Sequence, residues 1–170
     1  EFTNYVQGTG LACAIALHSN EMSFSVGIGR ELSKDCIVAA RNIVTTFQHS
    51  SPWQYKYHTL LLLADTISGC VENIVQKLTL LTGGIYEIFG GGAGDNAQFS
   101  YTPVFYNTEV VSDAVVTLEI HSHKPFGIGV QHGWRPVSSP MRITHVKGMN
   151  LLELDDKPAV EAFRTHARNS

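Results

Sequence analysis

The segment Tyr57–Asp65 reads YHTLLLLAD. It is strand-sized and apolar on both sides, so no face is left for solvent. That pattern predicts a central strand covered on both faces, as in sheets flanked by helices. Its neighbours supply the helices. Cys36, Ile37, Ala40, Ile43, Val44 and Phe47 fall at helical spacing, with Asp35 in the first turn, where a carboxylate suits the helix dipole. Cys70, Val71, Ile74, Val75, Leu78 and Leu81 mark a second helix, stopped by the glycines of Thr82–Gly84. Leu11–Ser19 and Ser23–Gly29 read as a strand pair, and Ile85–Phe89 as a further strand.

Beyond residue 100 the texture turns to strand. Residues 102–123 predict a hairpin turning at Asn107–Thr108 and then a long strand. In that strand Ala114, Val116, Leu118 and Ile120 alternate with Val115, Thr117, Glu119, His121 and His123, giving one apolar and one mostly polar, solvated face. FGIGVQHGW and MRITHVKGM predict more strands. LDDKPAVEAF opens a helix that Asp155 or Asp156 can cap, with Pro158 in its first turn. The fold class is therefore α/β of the mixed α+β kind: β-β-α-β-α-β, several strands and a terminal helix, forming mixed sheet layers with covering helices. The expectation is a single domain over residues 1–170, with a strand–helix part at about 10–100 and a mostly strand part at 101–170.

Of the 170 residues, 44% are hydrophobic, enough for a core, while only 16% are charged. So few charges suggest that some surface is buried against more chain or a partner. The chain opens on Glu1 without a start signal and reads as a piece of a longer protein. A net charge of −3 with scattered basic residues gives no nucleic-acid footprint. No window approaches the roughly 18 apolar residues of a membrane span. Cys13, Cys36 and Cys70 lie far apart in apolar patterns, which points to buried free thiols in a reducing, cytoplasmic compartment.

The chemistry-bearing stretch is YEIFGGGAGDN. Gly90, Gly91, Gly92 and Gly94 can expose backbone N–H groups to an anion, and Asp95 can accept from an ammonium. No Lys-Ser/Thr and no amphipathic helix follow, so neither a phosphate loop nor a dinucleotide fingerprint is formed. GIGREL, between a strand and a helix, has two of the three dinucleotide glycines. Glu119, His121 and His123 are a candidate metal set, with His132 or His145 as a third imidazole, but Lys124–Gly127 stands where a cupin needs its glutamate. His132 and Trp134 in HGWRP offer an imidazole and a pocket wall. No Ser or Cys has an adjacent base, so no catalytic step is implied.

Taken together, LLLLAD, GGGAGD, TPVFYN, VVSDAVV, FGIGVQHGW and LLELDDKPAVEAF resemble, in that order, the FIST domain (F-box and intracellular signal transduction) from about Gly10 onward. The resemblance is to the second half of the FIST N-terminal region and the start of its C-terminal region. It implies a sensory module that binds a small polar ligand such as an amino acid and signals to a partner, a kinase or cyclase among them. The family positions carry over as Gly91, Gly92, Gly94, Asp95, Ser112, Asp113, His132, Gly133, Trp134, Leu154, Asp155 and Pro158. The expected ligand site is Gly91, Gly92, Gly94, Asp95, His132 and Trp134, with no cofactor. Two alternatives are a haem-binding nitric-oxide sensor regulating a histidine kinase, and a metal-dependent enzyme. In the first, His132 is the axial ligand, with His121, His123 or His145 behind it. The second uses Glu119, His121 and His123.

Overall fold

A computed structural model describes residues 15–47, 54–133, 135–136, 138–148 and 150–167. The chain divides into two compact units, residues 1–127 and 128–170. The described residues form mixed sheets and three helices, the α/β mixture that the patterning implies.

The first unit is built on a four-stranded sheet. Its strands are β1 (Met22–Arg30), β2 (Tyr57–Ala64), β3 (Glu87–Gly92) and β6 (Ala114–Ser122), in the order β1-β6-β2-β3. β6 runs antiparallel to both β1 and β2, while β2 and β3 are parallel. The four-leucine strand is thus central. β4 (Val104–Tyr106) and β5 (Glu109–Val111) form the expected hairpin around Asn107, whose φ of 54° suits the turn.

Two helices cover one face of the sheet. α1 (Cys36–Val44) is capped by Asp35, whose carboxylate accepts from Ile37 N and Val38 N at 2.8 and 3.1 Å. Ala39, Ala40 and Ile43 of α1 are fully buried. Gly29 explains how the small face of α1 fits: a Cβ there would meet the Ala39 carbonyl oxygen at 2.9 Å. The glycines of GIGREL therefore let a helix approach the sheet. α2 (Val71–Leu81) buries Ile74 and Leu78 and ends as expected, with Gly83 and Gly84 at positive φ and Gly84 N donating to Thr79 O. The core joins these residues to Leu32, Leu60, Leu62, Ala64 and Val115.

Several expectations change. Residues 15–19 carry no strand, and residues 11–14 lie outside the described residues; the partner of β1 is β6. β2 is covered on one face: Leu60, Leu62 and Ala64 are buried under the helices, but Leu63 is 49% exposed on the other side. The polar side of β6 is buried rather than solvated, with Thr117, Glu119 and His121 at most 3% exposed, because it faces the helix layer; on the apolar side Ala114 and Ile120 are also buried, and Val116 and Leu118 half-buried. Cys36 and Cys70 are half-buried rather than buried, and Cys13 lies outside the described residues.

The second unit contains β7 (Ile143–Lys147), β8 (Asn150–Leu154) and β9 (Lys157–Pro158), an antiparallel meander, followed by α3 (Ala159–Ala167). Residues 126–133 are not strand. Asp155 and Asp156, both at positive φ, turn the chain between β8 and β9 instead of capping a helix. Asp155 Oδ1 accepts from Arg142 N at 2.9 Å, which pins that turn to the chain entering β7.

Candidate functional site

The glycine stretch is largely strand. Gly90, Gly91 and Gly92 finish β3, in register with Leu62, Leu63 and Ala64, and none of Gly90, Gly91, Gly92 and Gly94 has a positive φ. Close approach explains two of them: a Cβ on Gly90 would collide with the Leu62 backbone, and one on Gly92 with the Thr66 methyl group. Gly91 and Gly94 have open space around them. β3 is the outermost strand of its sheet, and its three glycines are exposed. Beside them lies a cleft of about 230 Å³, walled by Leu62, Val71, Val75 and Ile88 and edged by Gly90–Gly92. It sits at the carboxyl ends of two parallel strands, where open α/β sheets place their ligands.

Asp95 is occupied by its own loop. Its carboxylate accepts from Phe99 N (2.9 Å), Ser100 N (2.6 Å), Ser100 Oγ (3.4 Å) and Tyr101 N (3.0 Å). These donors, the Ser100 amide foremost, hold its pKa down at about 2. The loop needs that anchor, since Asn96, Ala97 and Phe99 all have positive φ.

A second carboxylate pair ties the strand ends together. Asp65, 5% exposed, accepts from Thr102 Oγ1 at 2.5 Å, Ile67 N at 3.0 Å and Asp113 N at 2.7 Å. Asp113 in turn accepts from Ser33 N and Ser33 Oγ at 2.9 and 2.6 Å. The aspartates of LLLLAD and VVSDAVV therefore join the end of β2, the start of β6 and the chain before α1.

The arrangement that sequence reasoning missed lies on the helix-facing side of β6. Glu119 accepts from Ser25 Oγ (2.5 Å), Tyr86 OH (2.5 Å) and His121 Nε2 (2.9 Å). The His58 ring meets His121 edge-on, with centroids 4.6 Å apart. Burial, reinforced by the bond to Glu119, raises the Tyr86 pKa, so its hydroxyl stays a donor. Burial, then His121, lowers that of His58. The Nδ1 of His58 is the one buried side-chain polar atom without a hydrogen bond among the described residues. Alternation placed Glu119 and His121 on one face; only the helices turned that face inward.

The remaining candidates fall in both units. His123 is exposed and stacks near Tyr55, with centroids 4.8 Å apart. His132 is exposed in the second unit, as is His145, 3.8 Å from Glu153. Trp134 lies outside the described residues. Among the described residues, no three His, Cys, Asp or Glu side chains are placed to hold a metal ion, and no helix is long and apolar enough to cross a membrane.

A sequence profile of the FIST N domain matches residues 1–157. Over 99 residues the chain is 33% identical to the uncharacterized protein MJ1623 of Methanocaldococcus jannaschii. That stretch covers 58% of this chain and 18% of the archaeal protein, so the chain spans only a small part of that relative.

Proposed function

The chain belongs to the FIST N domain family, a sensory domain of signal transduction, and from that membership we propose that it senses an amino acid or similar small acid at the glycine edge of β3. The observation that carries this reading is the cleft beside Gly90–Gly92. At about 230 Å³ it falls below the ~300–1,000 Å³ of drug-sized pockets, which suits a smaller ligand. Leu62, Val71, Val75 and Ile88 would take an apolar side chain. The N–H groups of Gly90 and Gly92, which alternate with the Ala93 N–H that bonds to β2, face the free edge of β3 and would be offered to the carboxylate. Asp95 shapes the loop that follows and contributes its negative charge, its lone pairs being already engaged. Occupancy would reach a partner protein, such as a kinase or cyclase, through the elements that wall the cleft.

A thermal-shift screen of amino acids and small carboxylic acids tests this reading. A ligand at about 100 times its Kd stabilises by about 2.7 kcal/mol, a rise of several degrees. Val75→Phe, which fills the cleft, should abolish the rise, while His132→Ala should leave it. Absence of any shift, or a shift that survives Val75→Phe, defeats the proposal. A Soret band on adding haem, lost in His132→Ala, would instead favour a haem sensor.

A further inference from the structure

We propose that the ligand of the cleft is the carboxyl end of an extended peptide with an apolar last residue, which adds to the free edge of β3 as a further strand; this rests on the reading of the cleft as the ligand site. β3 is the outermost strand, and its pairing with β2 fixes which backbone groups it leaves over. Ala93 N donates to Ala64 O, so Phe89, Gly91 and Ala93 turn their N–H and C=O groups toward β2. Ile88, Gly90 and Gly92 turn theirs outward, a row of alternating donors and acceptors of the kind that pairs with another strand. The glycines carry no side chain that could keep a second backbone away.

The cleft lies on the correct side of such a strand. Directly opposite residues of paired strands share one face of the sheet. Ile88 packs against the core beneath the helices, and Gly90 and Gly92 follow it on that face at the strand period of two. A peptide residue opposite Gly90 therefore directs its side chain toward α2, where Leu62, Val71 and Val75 wall the cleft. Running antiparallel to β3, that last residue donates its amide N–H to Gly90 O and accepts from Gly90 N through its carboxylate. The residue two before it then lies opposite Gly92, and the carboxylate points away from Asp95.

A free amino acid would bond to one glycine alone and would bring an ammonium. The described residues that wall the cleft are apolar or glycine, and the Asp95 carboxylate is already engaged by four donors. Glu87 alternates to the other face of β3. The ammonium therefore meets no carboxylate in the cleft, and burying it unpaired is costly. In a peptide a neutral amide stands in its place, with Gly90 O as its acceptor.

The test compares leucine, N-acetyl-leucine and N-acetylated leucyl-alanyl-leucine on the full chain, by thermal shift and amide hydrogen exchange. Affinity should rise in that order, with the tripeptide at least about tenfold tighter than leucine, the fold-change of one to two net hydrogen bonds. Exchange at Gly90 and Gly92 should slow in the tripeptide complex, while Gly91, which faces β2, stays as it was. Methylating the last amide nitrogen of the tripeptide should remove the gain without altering the protein. Leucine binding as tightly as the tripeptide would overturn the peptide assignment and leave the cleft an amino-acid site. N-acetyl-leucine matching the tripeptide, or a tripeptide that binds without slowing Gly90 and Gly92, would overturn the added strand. Binding by none of the three would overturn both this assignment and the cleft itself. Protection of Gly90 and Gly92 that grows with protein concentration before any peptide is added would give the edge to a second copy of the chain instead.

Discussion

Asp95 shows how a side chain chosen for ligand chemistry can be taken by its own backbone. Four donors converge on it from Phe99, Ser100 and Tyr101, and its pKa falls from 3.8 to about 2. A carboxyl with a lowered folded pKa contributes its full stabilisation above the unfolded value, and that contribution is lost as pH falls through the folded one. The loop at residues 95–101 should therefore keep its structure at pH 5 and loosen between about pH 4 and pH 2. Carboxyl NMR shifts should place the Asp95 midpoint near 2, and Asp95→Asn should raise amide exchange at residues 99–101 even at neutral pH. A midpoint near 4 would mean that the four bonds do not hold the carboxylate in solution. The sequence made the acid beside the glycines visible, but its donors lie four to six residues on, and nothing in SYTP marks them.

Among the elements, β3 and β6 carry the largest corrections. β3 continues through three glycines because β2 leaves no room for a side chain at Gly90. Gly90→Ala should cost about 1–3 kcal/mol in urea unfolding, the range for forcing a group into a packed site. Gly91→Ala, in open space, should stay within about 0.5 kcal/mol. Equal costs would show that β3 does not pair with β2 at this register. In β6, alternation correctly separated Glu119 and His121 from Leu118 and Ile120, and it could go no further. Period two assigns residues to opposite faces without saying which face the helices cover. Glu119 tolerates burial here because Ser25, Tyr86 and His121, from three different segments, supply its hydrogen bonds. No single stretch of sequence contains that set.

For the first unit as a whole, the decisive feature is that both helices lie on one side of its sheet. The opposite side presents Val26 at 46% and Leu63 at 49% exposure, with Ile28, Leu61, Val116 and Leu118 half-buried between them. An apolar area of this kind favours association. The isolated chain should bind a hydrophobic dye and self-associate in sedimentation experiments, and Leu63→Lys should reduce both while leaving the melting temperature within a few degrees. Unchanged dye binding and sedimentation in that variant would mean that this side is covered in solution. The low charge content already pointed to such a surface, since it can be counted along the chain, whereas the four-leucine run suggested a strand covered on both faces. Local patterns likewise sufficed for α1, α2, the hairpin at Asn107 and the long β6 strand, because caps, turns and periodicity depend on neighbours within a few residues. The insertion of β6 between β1 and β2, the inward turn of Glu119 and His121 and the need for glycine at 90 depend on contacts between segments tens of residues apart. Such contacts exist only once the chain has folded, because packing, rather than local preference, selects which face is buried and which residues meet.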